Sequence, residues 1–212
     1  MTILALDFSS ARRSAAVADG CGAVLAEAVI HSGGRGTDAL GLIGEALGRA
    51  QLPREAVEVI AVGLGPGSYT GIRAAIAVAQ GWQLARGTRL LGVSSLESLA
   101  AQAQAEGLFG RVNLVVDAQR GEFYLATWEV SAAERRELAP VRIVAATELA
   151  VRQAAGEICA GPEQARVLFP SAATVAAMAT QREDFLAGEM LMPVYLRETS
   201  FVKAPAGWRT AP

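Results

Sequence analysis

This 212-residue chain is poor in histidine (one), in cysteine (two) and in charge (19% of residues). Each scarcity excludes something. With His31 alone there is no two-histidine metal site, no HExxH helix and little scope for a Ser-His-Asp arrangement. Cys21 and Cys159 make no CxxC pair and no disulfide framework, so a reducing compartment is the expected home. The opening MTILALDFSS does not read as a signal peptide, and the longest apolar runs are broken by Gln, Arg or Gly. No membrane span is expected, and the cytoplasm is the expected location. A formal net charge of −2 provides no basic footprint for unaided nucleic-acid binding. Against 52% hydrophobic residues, the low charge suggests that a partner covers part of the surface.

What is present is strongly patterned. TILALDF (2–8), SAAVAD (14–19) and AVLAEAVI (23–30) read as three strands close enough to form an antiparallel meander. After the loop HSGGRG (31–36), Thr37 and Asp38 offer N-cap chemistry for a helix to about Arg49. VEVIAVGLG (57–65) is a buried strand, 69–85 a helix, RLLGVS (89–94) a strand, and Ser94 or Ser95 caps a helix over 96–106. Three antiparallel strands followed by strands on helical crossovers build one mixed sheet, the order of a ribonuclease-H-like lobe. Beyond Gly107–Gly110, VNLVVDAQRGEFYLATWEV (112–130) repeats the opening: a buried strand ending in Asp, a polar turn, a second strand. Asp7 and Asp117 are equivalent in this reading. The later chain offers a short strand in EICAGPEQARVLFP, a Thr-capped helix start near ATELA and a helix capped by Ser171. The expected division is 1–106 for the first lobe, 107–196 for a smaller second lobe and 197–212 for a tail.

Two places could carry chemistry. In GLGPGSYTGIR (63–73), Gly65, Pro66, Gly67 and Ser68 join a buried strand to a helix. Bare amides at a helix start bind anions. The same glycines also suit a tight turn that only positions the helix, and the stretch has neither the Lys of GxxxxGKS nor the spacing of GxGxxG. The positioning role is therefore favoured. Asp7 and Asp117 end strands that would face one cleft, where Ser9, Ser10, Gln119 and Gly121 could add donors for a cation and phosphates. A strand-ending Asp also caps turns. The candidate cofactor-binding set is thus Asp7, Ser9, Ser10, Asp117 and Gly121, with ATP turnover disfavoured because no adenosine-binding Gly-Gly loop is evident.

The two helices flank this loop. YTGIRAAIAVAQGWQLA (69–85) is apolar nearly all round, which indicates burial on more than one side. The earlier helix places Gly41, Gly44 and Gly48 along one side and Leu40, Ile43 and Leu47 along another. One stripe must face the sheet and the other is left for a partner. Arg73, on the first turn of its helix, opposes the helix dipole unless it pairs, most simply with an acid.

ILALDFSS, GLGPGSYTGIRAAIAVAQGWQLA, LLGVSSLESLA, VDAQRGEFY and PVYLRE, in this order, closely resemble the bacterial TsaB (YeaZ) family over residues 2 to about 203. The resemblance implies an actin-like ATPase fold of two lobes, with the C-terminal lobe reduced. It implies a non-catalytic subunit needed for threonylcarbamoylation of adenosine 37 in tRNAs that read codons beginning with adenine. Such a subunit pairs with the catalytic paralogue TsaD, is joined by the ATPase TsaE, and meets tRNA only through that complex. The paralogue's metal-binding histidines would fall on the first helix, which holds none here. The contact residues implied are Leu40, Ile43, Gly44, Leu47, Ile72, Arg73, Ala75, Ile76, Ala79 and Gln80. The free chain is expected to form a homodimer through the same surface. No tightly held cofactor is expected in the chain alone, with ATP or ADP admitted at the junction of the complex. The rival readings are an ATP-dependent phosphotransferase using Asp7 and Asp117, and a glycoprotease-like metallopeptidase.

Overall fold

A computed structural model describes residues 1–31 and 38–196. The expectations for the loop over 32–36, for Thr37 and for the tail 197–212 lie outside the described residues. The first sheet is built from β1 (Ile3–Asp7), β2 (Arg12–Ala18), β3 (Val24–His31), β4 (Val59–Gly63) and β5 (Arg89–Val93) in the order β3-β2-β1-β4-β5. β1 pairs antiparallel with β2 and parallel with β4. β1 and β4 are buried at every position, which accounts for their uninterrupted apolar sequences.

The second sheet repeats this plan. It contains β6 (Gly110–Asp117), β7 (Glu122–Val130), β8 (Arg135–Ala145), β9 (Ile158–Gly161) and β10 (Arg166–Val167) in the order β10-β9-β6-β7-β8. Again the first strand pairs antiparallel with the second and parallel with the fourth. The two sheets are the two lobes of the α/β fold expected from the sequence, and β9 and β10, with four and two residues, are the short strands of the second. Among the described residues no helix is long and apolar enough to cross a membrane.

Among the described residues five α-helices cover the sheets: α1 (Ala39–Arg49), α2 (Tyr69–Arg86), α3 (Ser95–Ala105), α4 (Ala146–Ala154) and α5 (Ala172–Ala179). Asp38 caps α1 by accepting from Gly41 N at 2.9 Å, and Ser171 caps α5 by accepting from Thr174 N. α2 ends at Gly87, whose φ of 70° is the left-handed stop that glycine allows. Two expected caps differ. α4 starts after Ala145 with no side-chain cap, and Ser94 holds the cap position of α3 without bonding through its hydroxyl.

The helices do not follow the division at 106/107 read from the sequence. α1 and α2 pack on one face of the first sheet. Its other face is covered by α5, through Ala172, Val175, Ala176 and Ala179 against Ala5, Ala16, Ala18 and Ala61. Conversely α3, which follows the first sheet in sequence, lays Leu96, Leu99, Ala100 and Ala103 on Val112, Leu114 and Ala126 of the second. The lobes have exchanged helices. Small residues on α5 and on the facing strands permit a close approach, and Ala172 N donates to Ser14 Oγ at 2.8 Å to fix it.

Candidate functional site

The strand-to-helix loop and the end of β1 form one buried cluster. Asp7 is fully buried. Its Oδ1 accepts from Ser9 N at 2.9 Å and from Ser9 Oγ at 2.6 Å. Its Oδ2 accepts from Ser95 Oγ at 3.2 Å. Burial pushes the Asp7 carboxyl above its ordinary value, against the pull of the bonds from Ser9 and Ser95. β4 passes so close that a Cβ on Gly63 would overlap Asp7 Oδ2. Ser10 turns away and exchanges hydrogen bonds with the backbone of Arg12.

The loop itself is closed over Ser9. Ser68 N donates to Ser9 O at 2.6 Å. Gly67, at φ 152°, lies where a side chain would strike that same carbonyl. Gly65 N donates to Ser95 Oγ at 3.2 Å, and Ser95 N returns a bond to Gly65 O at 2.9 Å. Pro66 follows Gly65 through a cis bond. Ser68 Oγ caps α2 by accepting from Gly71 N at 3.3 Å. The amides of Gly65, Ser68 and Gly71 are therefore engaged inside the protein.

Asp117 ends β6 as Asp7 ends β1, but its surroundings differ. It is half-buried, and both oxygens are engaged by Gln119, the backbone N–H at 2.8 Å and the side-chain amide on the other oxygen. Gln119, Arg120 and Gly121 follow with φ of 65°, 61° and 74°. Gly121 O accepts from Ala146 N at 3.2 Å. Asp117 thus holds its own turn, the role a strand-ending Asp takes by default. Among the described residues there is no group of three or more His, Cys, Asp or Glu that could hold a metal ion.

The helix residues divide by exposure. Ile43, Leu47, Ile72, Ala75, Ile76 and Ala79 are buried in the core that α1 and α2 make with the first sheet. Their expected place at a partner interface is corrected: their stripes are the ones that had to face the sheet. Gln80 is also committed within the chain, its amide donating to Gly188 O at 2.8 Å, while Gln83 Oε1 accepts from Gly188 N at 2.7 Å. The outward faces carry Leu40 and Gly44 of the expected set, together with Gly48, Ala77, Gly81 and Leu84. Leu84 is 89% exposed. A Cβ on Gly44, Gly48 or Gly81 would meet nothing. Arg73 is exposed and pairs with aromatic groups rather than an acid. It donates to Tyr69 Oη at 2.7 Å, with its guanidinium 5.0 Å from that ring, and Tyr195 stacks on Tyr69 at 5.5 Å.

Sequence reasoning missed two features. Ser95 serves Asp7 and Gly65 rather than a helix cap, and residues 186–195 form a strap along α2. Gln83 Nε2 bonds Leu186 O at 3.3 Å at one end of the strap, and Val194 N bonds Leu64 O at 2.9 Å near the other. Neither has a local signal, since the partners lie 88 and 103 residues apart for Asp7–Ser95 and Gln83–Leu186.

Comparison with known proteins joins these observations to a family. The family model described as TsaD, tRNA N6-adenosine threonylcarbamoyltransferase, matches residues 37–189. The chain is 38% identical over 73 residues to the tRNA threonylcarbamoyladenosine biosynthesis protein TsaB of Escherichia coli, covering 34% of this chain and 32% of that protein. It is 36% identical over 83 residues to an uncharacterized protein of Mycobacterium tuberculosis, covering 39% of this chain and 37% of that one. These matches span about a third of the length of the curated relatives. Among solved structures, YeaZ from Pseudomonas aeruginosa superposes with a TM-score of 0.76 at 30% identity, over 92% of this chain and 99% of that one. The two-lobed fold, the GLGPGSYTGIR loop and these matches agree: the chain belongs to the TsaB (YeaZ) family.

Proposed function

We propose that this chain serves tRNA threonylcarbamoyladenosine biosynthesis in the cytoplasm as a non-catalytic subunit. It binds a TsaD paralogue through the outward faces of α1 and α2, and the ATPase TsaE joins that pair. tRNA is reached through the complex, and ATP or ADP, if held, sits at its junction. The observation that carries this reading is the bare outward face of α1, where Gly44 and Gly48 stand with open space above them beside exposed Leu40. Helix-interior glycine costs about 1 kcal/mol relative to alanine. A monomer recovers nothing for that cost, whereas a partner helix can approach a glycine face closely. The engagement of Asp7 and of the loop amides inside the fold favours this role over that of an independent phosphotransferase.

The test is reconstitution of tRNA modification by TsaD and TsaE with and without this chain, beside a Gly44→Lys variant. The variant should fold as well as the parent, because its side chain enters open space, and should fail to co-elute with TsaD and to support modification. Undiminished pairing by folded Gly44→Lys would remove α1 from the interface. Robust Mg-ATP hydrolysis by the pure chain, lost in Asp7→Asn, would replace the proposal with the phosphotransferase reading. The free chain should dimerise through the same face, and Gly44→Lys should render it monomeric.

A further inference from the structure

Asp7 touches neither α2 nor the outer surface, yet both ends of the loop that starts α2 lead back to it. At one end, Ser95 Oγ donates to Asp7 Oδ2 and accepts from Gly65 N, while Ser95 N donates to Gly65 O. At the other, the Asp7 Oδ1 bonds from Ser9 N and Ser9 Oγ hold the Ser9 peptide, whose carbonyl accepts from Ser68 N. Ser68 is the residue whose hydroxyl caps α2. Gly63 and Gly67 have no room for a side chain, the first against Asp7 and the second against Ser9, so the loop is pressed onto this cluster rather than tethered loosely.

We infer that Asp7 is a positioning residue that fixes the loop Gly65–Ser68 at both ends and so sets the direction of α2. The same carboxyl reaches the first turn of α3, the helix that packs on the second lobe. It therefore references three parts of the molecule to one buried point: the end of β1, the start of α2 and the start of α3. Its burial excludes competing water, so each bond is dear to lose. This rests on the proposed use of the α2 face for whatever it says about partner binding, but the geometric claim stands on the isolated chain.

The two are separated by measuring different things. Amide hydrogen exchange on the isolated chain reads the loop directly. Ser95→Ala removes the hydroxyl bonds at the Gly65 end of the clamp, keeps the backbone bond to Gly65 O and leaves Asp7 and Ser9 in place. It should speed exchange in the first turn of α2, residues 69–72, by about tenfold or more, since the lost hydroxyl makes two buried hydrogen bonds, while β6 and β7 amides stay as they are. Asp7→Asn keeps an acceptor for Ser9 and a polar partner for Ser95, and should exchange at the parent rate within about threefold. Asp7→Ala should resemble or exceed Ser95→Ala; if it does not fold, the Ser95→Ala and Asp7→Asn pair still decides. Unchanged exchange over 69–72 in Ser95→Ala would overturn the inference. So would an Asp7→Asn chain that loosens the loop as Ser95→Ala does. Affinity for TsaD should fall in the same order, by about tenfold for Ser95→Ala. If Gly44→Lys binds TsaD normally while exchange follows the expected order, the interface reading fails and the role of Asp7 survives.

Discussion

The two lobes share a strand order and differ in almost everything that holds them. Around the first sheet, α1 and α2 close a cluster of twenty buried residues, from Leu4 to Leu191. Under α4, the second lobe has a cluster of five: Val115, Leu125, Val144, Leu149 and Cys159. Polar bonds brace the second lobe, as Arg12–Glu27 and Arg89–Glu58 brace the first. Arg142 pairs with Glu148, Arg152 bridges Glu148 and Glu157 at 3.1 Å each, and Asn113 donates to Glu157 at 2.8 Å. Repeated topology does not imply a repeated energy source. The equivalent aspartates show this most plainly: Asp7 is sealed and shared by three elements, and Asp117 is half-exposed and holds its own turn.

The comparison can be broken hardest in the first lobe. Ile76→Asp puts a carboxylate into the large cluster with no cation to meet it, and should cost ~4 kcal/mol or more, enough to abolish the folded state in a thermal melt. The identical change at exposed Ala77 should leave the melting temperature nearly unmoved. In the second lobe, Leu149→Ala should cost about 2 kcal/mol, because the site is small and near the surface. Its effect should appear as faster amide exchange in β6 and β7 with β1 and β4 still protected. Loss of protection in both sheets together would mean that the exchanged helices make the lobes one cooperative unit.

Acid should separate the lobes by sign. Glu148 is held down at about 2 from its ordinary 4.5, first by its bond from Arg142, and Glu157 is lowered chiefly by Asn113. A lowered carboxyl contributes stability above its unfolded value and loses it as pH falls, here between about pH 4.5 and 2. Asp7 is raised, so its contribution runs the other way: full below its ordinary 3.8 and lost as pH rises through its folded value. Lowering the pH from 5 towards 3 should therefore loosen the second lobe around Glu148 and Glu157, and the Arg182–Asp184 pair after α5, whose carboxyl is likewise lowered, before the Asp7 cluster in pH-stepped exchange. Added salt should weaken both lobes, and only modestly, since each carries ion pairs that reach the surface, such as Arg49–Glu45 in the first and Arg142–Glu148 in the second. The smallest effect has the opposite direction. Gly48→Ala, into open space on α1, should raise stability by about 0.5–1 kcal/mol while lowering affinity for TsaD.

Much of this was legible before any coordinates. The opening meander, the buried strand 59–63, both long helices and the repeat beginning at Val112 follow from hydrophobic periodicity and from the residues that stop it. The GLGPGSYTGIR stretch is legible as a strand-to-helix turn, because Gly65, Pro66 and Gly67 stop the buried strand and Ser68 offers a cap. The orientation of the helices was not readable. Ile72, Ala75, Ile76 and Ala79 form an apolar stripe, but α2 is apolar nearly all round, so periodicity could not say which stripe faced the sheet. Gln80 is expected at a partner interface and the strap binds it instead, while Arg73 stays exposed beside Tyr69.

The sequence by itself determined the elements, their order in two similar halves, and the family to which the chain belongs. These depend on near neighbours in the chain: alternation, capping residues, glycine where the backbone must turn. Only the tertiary structure decided that α3 and α5 exchange lobes, that Asp7 binds Ser95 across 88 residues, and that Gly44 rather than Ile43 looks outward. Those outcomes turn on which of several comparably apolar or polar groups meet in space. That choice is made by packing the whole molecule, and no local stretch carries it.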